Sequence, residues 1–421
     1  MQTPVSSSIT ARIVHLWDNA RTLQVIFSDT NILDFSALTR ITKRRLEPIT
    51  HFNKLGDTLT RTSTMLTFID KGLLQKENIS LRYSPQADLS EMPTKEFVKL
   101  FSNFPHSFDD FTILPHQIPQ ISTDYLLDES RLQEALGRFQ SIRLKQRLEE
   151  TLELPPLPIT SQKIIQLCSK RNVDTDELCD VISIDPSLTA QVISWASSPY
   201  YGAPGNIASV EDAIIRVLGF DMVMNLALGL SMKSVLTPPK NGPRHYQNFW
   251  FNSAFRASLM ETLVKRMPAE KRPRIGYAYL SGLLHNFGHL AIGHILPTHF
   301  SILSRHLEGN AHVPTELIEM HLLRFTKEQL GSWLLRHWGL PDDICNAIRY
   351  AKAPDLETTE TTETVMLAYL LQCSHHLCHH QTITAHLSKT IGLSEEECLC
   401  AYQEVQSSSN ELQEMVSLLH N

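Results

Sequence analysis

The residues best suited to chemistry are histidines, and His285 is the first to consider. It lies in Gly282-Leu283-Leu284-His285-Asn286-Phe287-Gly288. An imidazole followed by a carboxylate is a common way to hold a divalent metal, because the acid adds charge as well as a lone pair. Here the second residue is the amide Asn286. His289 and His294 follow closely, and on a helix His285 and His289 would share a face. Gly288 interrupts that run and no acid accompanies it, so a rebuilt metal site is not expected. A second group is Cys373-Ser374-His375-His376-Leu377-Cys378-His379-His380, where His375 pairs with His379 and His376 with His380 at one-turn spacing. Each pair could chelate zinc or nickel, but the two pairs point about 100° apart on a helix and cannot serve one ion. A solvated or partner-facing helix with weak adventitious metal binding is the expectation.

The chain that must position these groups has 421 residues, enough for two or three domains. Its 42% hydrophobic and 20% charged residues are those of a water-soluble protein, and the net charge of −7 gives no general attraction to nucleic acid. No apolar run approaches the roughly 18 residues of a membrane span, and Met1–Thr10 lacks the pattern of a signal peptide. Seven cysteines without framework spacing fit reduced thiols. The expectation is a cytoplasmic protein with no membrane contact.

Ile9, Ala11, Ile13 and His15, then Leu23, Val25 and Phe27, alternate with polar neighbours around Asp18-Asn19, which predicts a β-hairpin. A helix start at Ser36, strands over 66–69 and 79–83, and short helices make the first hundred residues α+β. Phe101–Gln120, broken by Pro105, Pro115 and Pro119, reads as a boundary.

The run Thr67-Phe68-Ile69-Asp70-Lys71-Gly72-Leu73-Leu74, with Glu77–Leu81 and Met92–Phe97, resembles the later part of the YbaK-type aminoacyl-tRNA deacylase fold. The resemblance covers residues 9–105 and implies an early lysine for the aminoacyl-adenosine end and a glycine-rich pocket wall. This chain offers Arg21 and, around Lys54-Leu55-Gly56-Asp57, one glycine. A binding or regulatory domain is expected in place of a deacylase, with a tRNA-like ligand as the one nucleic-acid partner it suggests.

From Asp128 to Glu150 the apolar positions fall on one helical face, a helical linker. Leu154-Pro155-Pro156-Leu157-Pro158 stops it, and Thr160 or Ser161 caps the next helix. Further helices follow Asp174, Asp185-Pro186 and Ser209, and Met222–Val235 is apolar enough to be buried all round. Ser394 before Glu395-Glu396-Glu397, and Gly392, punctuate a helical tail.

Leu-Pro-Pro-Leu-Pro, Ile184-Asp185-Pro186-Ser187-Leu188-Thr189, Ser209-Val210-Glu211-Asp212-Ala213-Ile214 with Leu218-Gly219, and Gly282–Gly288 together resemble the HDOD family over residues 147–354. The resemblance implies an all-helical relative of the HD metal phosphohydrolases, associated with bacterial signalling. The metal-binding forms imply a His where this chain has Asn252, an acid where it has Asn286, a His where it has Lys327, and a His pair near Tyr350-Ala351. A lysine ammonium has no lone pair to give, and one imidazole cannot fix a catalytic ion.

The reading is an α+β domain (1–120), a helical linker (121–153), an all-α HD-like domain (154–354) and C-terminal helices packed on it (355–421). No catalytic residue, metal or cofactor is expected. Asn252, His285, Asn286 and Lys327 form a candidate vestigial pocket, where lysine keeps positive charge for a nucleotide. The expected role is a non-enzymatic signalling or scaffold protein with protein partners. The alternative is a metal-dependent phosphohydrolase or cyclic-dinucleotide phosphodiesterase, or a deacylase in the first domain.

Overall fold

A computed structural model describes residues 8–18, 20–49, 65–81, 90–103, 105–121, 124, 127–138, 157–168, 170, 173–232, 235–236, 249–352 and 362–417. The segments 54–57, 139–156 and 355–361, on which several sequence expectations fall, lie outside them. The chain divides into two compact units. One comprises residues 1–121 and 298–324, the other residues 122–297 and 325–421.

The first unit is built on a mixed sheet whose main path runs through Ser90–Pro93, Asn78–Leu81, Ser8–Trp17, Thr22–Ser28, Leu66–Asp70 and His106–Asp109. The predicted hairpin is β1 (Ser8–Trp17) and β2 (Thr22–Ser28), antiparallel from Ala11↔Ser28 to Trp17↔Thr22. Asp18 makes its turn, its Oδ1 accepting from the backbone N–H groups of Ala20 and Arg21. β3 (Leu66–Asp70) and β4 (Asn78–Leu81) add to it in parallel, and β5 (Ser90–Pro93) closes one edge. The proline-rich stretch is not a mere boundary: it holds β6 (His106–Asp109), parallel to β3. Four residues after Pro105 make too short a strand for alternation to show.

β2 is buried on both faces, so Val25 and Phe27 join Leu16, Phe35, Leu38 and Phe111 on one side while Ile26 joins Ile69, Ile79, Leu81 and Phe97 on the other. Residues 298–324 belong to this unit although they sit far along the chain. Asn310 explains why: buried, it accepts from the Leu33 N–H (2.7 Å) and donates to the Leu33 carbonyl (3.1 Å), completing the edge of a two-residue strand.

The second unit is helical. Asp185 caps the helix Pro186–Ala196 and Ser209 caps the helical segment at 210–218, whose last six residues are π-helical. Thr160 and Ser161 are inside the helix Ile159–Cys168 instead of capping it, because the buried Ser161 hydroxyl bonds Ser231 Oγ (2.7 Å). Phe220–Met232 is buried from Met222 onward, as its composition implies. Near the end, Ser394 and Glu397 form a capping box. Among the described residues no helix is long and apolar enough to cross a membrane.

Candidate functional site

The helices Ile275–Leu284 and Phe287–Ile295 are separated at His285-Asn286, so His285 and His289 do not share one continuous helix. Glycines set the geometry around this break. A Cβ at Gly282 would lie 2.7 Å from Ala257 Cα, so helix Phe249–Arg266 passes against it and carries Arg256 alongside. A Cβ at Gly288 would lie 1.8 Å from the Lys327 carbonyl oxygen, so the first turn of helix Lys327–His337 passes on the other side. Thr326 and Gln329 form a capping box that fixes that turn.

His285 Nδ1 lies 2.7 Å from the Gly282 carbonyl. A carbonyl only accepts, so Nδ1 carries the proton and Nε2 keeps its lone pair. Burial, then the Arg256 charge, push the His285 pKa well below its ordinary value, and Lys327 acts in the same direction. Lys327 pairs with the neighbouring Glu328 carboxylate. Burial works against ionised Glu328, yet Lys327 and then Lys352 hold its carboxyl well below the usual range.

His375, on helix Thr362–Cys378, belongs here too. Burial, then Lys352, His379, Arg256 and Lys327, push it to about 2. Its ring lies 4.1 Å from that of His379, whose Nδ1 donates to the His375 carbonyl (2.8 Å). His376 turns elsewhere, to the Thr382 carbonyl, and His380 packs on Tyr402. His375 and His379 thus stay together while His376 and His380 part from them, and His379 and His380 lie exposed beyond the helix end. The helix Thr362–Cys378 itself is core on one face, where Leu367, Leu370, Leu371 and Cys373 are buried.

Of the sequence candidates, His285, Asn286 and Lys327 come together, and Asn252 is exposed one turn before Arg256 on the same helix. Tyr350 is buried beside Arg349. Arg256, Lys352 and Glu328 were missed, and His375 and His379, singled out as a separate pair, were not connected with His285. Arg256 was within reach, at four residues from Asn252; the nearness of His375 to His285 had no local signal, because helix packing alone brings it about. Among the described residues no three His, Cys, Asp or Glu side chains are grouped to hold a metal ion. What converges is Arg256, Lys327 and Lys352 around imidazoles and one carboxylate, donors of positive charge and not metal ligands.

The unit that carries these groups is helical and HD-like in fold. Comparison with protein families matches the HDOD domain over residues 154–354. A crystal structure from Marinobacter aquaeolei VT8, a protein provisionally named for signal transduction, is 33% identical, covers 100% of this chain and 95% of its own, and superposes with a TM-score of 0.87. The chain thus carries an HDOD domain. An HDOD domain protein from Geobacter sulfurreducens, named as of unknown function, shares the fold at 20% identity over 69% of this chain and 98% of its own, with a TM-score of 0.53. A curated Treponema pallidum (strain Nichols) relative, named only as an uncharacterized protein, is 21% identical over 198 residues, 47% of this chain and 37% of that relative's length. The match to the family begins at residue 154, so the YbaK resemblance of the earlier residues rests on their sequence alone.

Proposed function

We propose that this protein is a non-enzymatic signalling or scaffold protein whose HDOD domain works through its surfaces and not through metal chemistry. One observation carries the reading: the charges of Arg256 and Lys327 act on His285, and that of Lys352 on Glu328 and His375, at positions where the resemblance to HD hydrolases implies metal ligands. A divalent cation brought there would meet like charges, and one imidazole lone pair cannot offset that repulsion. The provisional name of the Marinobacter relative supports a place in signal transduction. The first unit is read as a binding or regulatory domain, since Arg21 stands where the YbaK resemblance implies a lysine.

The test is elemental analysis of purified full-length protein together with turnover of a generic phosphodiester and of cyclic dinucleotides. Expected are metal far below one ion per chain and no turnover above buffer. Stoichiometric manganese, iron or zinc, lost in His285→Ala, would overturn the proposal.

A further inference from the structure

We propose that a cavity of about 420 Å³ in the helical unit is a binding site for a small organic amine, a protonated amino group carried on an apolar or aromatic body. It goes beyond the function proposed above and uses none of the residues around His285.

The cavity lies where the helices Ile159–Cys168, Phe220–Met232 and Ile275–Leu284 meet, and its volume is within the roughly 300–1,000 Å³ of small-molecule sites. Gly276 permits the close approach beside it, since a Cβ there would lie 2.4 Å from Asn225 Nδ2. Leu167, Val173, Phe220 and Met224 give the cavity apolar walls. Tyr277 adds an aromatic wall, with the guanidinium carbon of Arg274 stacked 3.5 Å from its ring centroid. Such walls suit a hydrocarbon or ring.

Charge decides what the ligand's polar end must be. Both cations of the lining are already engaged. Lys170 pairs with Glu177, while Arg274 gives Nη2 to Asp343 (3.2 Å) and its Nε and backbone N–H to Glu363 Oε1 (3.4 and 2.8 Å). Asp221, exposed in the first turn of its helix, has no ion-pair partner among the described residues. Asn225, buried in the same lining, donates Nδ2 to the Asp221 carbonyl (2.7 Å), and its Oδ1 receives no donor among the described residues. Four carboxylates thus stand against two cations, and Asp221 is the one left to take a positive group. An anion would first have to displace Glu177 from Lys170, or Asp343 and Glu363 from Arg274.

The experiment is calorimetric titration of the full chain, at low salt and neutral pH, with three probes of similar shape: 2-phenylethylamine, 2-phenylethanol and 3-phenylpropanoate. The amine is expected to bind saturably and at least about fivefold more tightly than either of the others, as one charge pair at a cavity rim implies. Asp221→Asn, at an exposed position, should keep its thermal transition and weaken the amine about fivefold, leaving the alcohol unchanged. Lys170→Gln, which releases Glu177, should hold or tighten the amine, whereas a site for anions would weaken. Val173→Trp, which fills the cavity from a half-buried position, should abolish binding of all three, and it decides if Asp221→Asn does not fold. No saturation by about 10 mM amine, equal or tighter binding of the propanoate, indifference to Asp221→Asn or to Val173→Trp, or loss of amine binding in Lys170→Gln would each overturn the assignment.

Discussion

Arg349 grips Asp128 with two donors: Nε reaches Oδ2 and Nη2 reaches Oδ1 at 3.0 Å, both residues being buried in the helical unit. Gln329 donates to the same Oδ1 at 2.8 Å. The helix Asp128–Arg138, expected to serve as a linker, is thereby tied to Lys327–His337 and Asp342–Tyr350. Removing one partner leaves the other charge buried, so Asp128→Ala or Arg349→Ala should each lose about 3–5 kcal/mol of stability. The double replacement Asp128→Leu with Arg349→Met should recover much of that loss. Urea denaturation of the four proteins as a double-mutant cycle checks it.

Glycines where two helices touch should respond very differently from a glycine in open space. At Gly288 a methyl group would overlap the Lys327 carbonyl at 1.8 Å, and at Gly331 it would meet Gly288 N at 2.9 Å. Both contacts are backbone against backbone, and neither atom can rotate away. Gly288→Ala should therefore lose about 3 kcal/mol or more, or prevent folding. Gly137 is helical, and a methyl group there would have nothing within 4 Å, so its change to Ala should instead gain about 0.5–1 kcal/mol. Thermal melts of the parent and the two variants separate the outcomes.

The buried imidazoles set the acid limb of stability. In the first unit burial lowers His15 to about 4, and in the second His375 is lowered to about 2 and His285 well below its ordinary value. Each is neutral when folded and takes up a proton when unfolded below about pH 6.5. The unfolded chain then binds more protons, so stability is full above pH 6.5 and falls as pH drops toward the folded values. The slope approaches about 1.4 kcal/mol per pH unit for each fully buried imidazole, and less for half-exposed His375. Urea midpoints at pH 7 and pH 5 should differ in that direction, and His15→Gln should flatten the dependence.

Local signals carried much of the architecture. The β1–β2 alternation, the Asx turn at Asp18, the caps at Asp185, Ser209 and Ser394, and the glycine end at Gly392 are short-range hydrogen-bond requirements, legible from a few adjacent residues. Asn310 on the two-residue strand Ile32–Leu33, Asp128 against Arg349, and His375 beside His285 are not legible in this way. Each depends on which helix face meets which, set by packing over 90 residues or more of chain. Asn286 and Lys327 drew attention to this place in the sequence, but the cations that act on it with Lys327 did not stand out. Arg256 looks like an ordinary surface cation until the close approach at Gly282 brings its helix alongside.

Restoring one acid should not restore a metal. Asn286→Asp would place a carboxylate beside His285, as a metal pair requires, but Lys327, Arg256 and Lys352 would remain. The new charge would be attracted to these cations and neutralised by them before any divalent ion was held. Zinc and manganese titrations of Asn286→Asp should therefore show no more binding than the parent protein. Its stability at low salt should rise by up to about 1 kcal/mol, fading as salt is added, since Asn286 is half-exposed. Metal affinity should appear only when Lys327→His and Asn252→His accompany Asn286→Asp, which removes the opposing ammonium and supplies further lone pairs. Tight stoichiometric metal in the single variant would show that Lys327 does not govern the site.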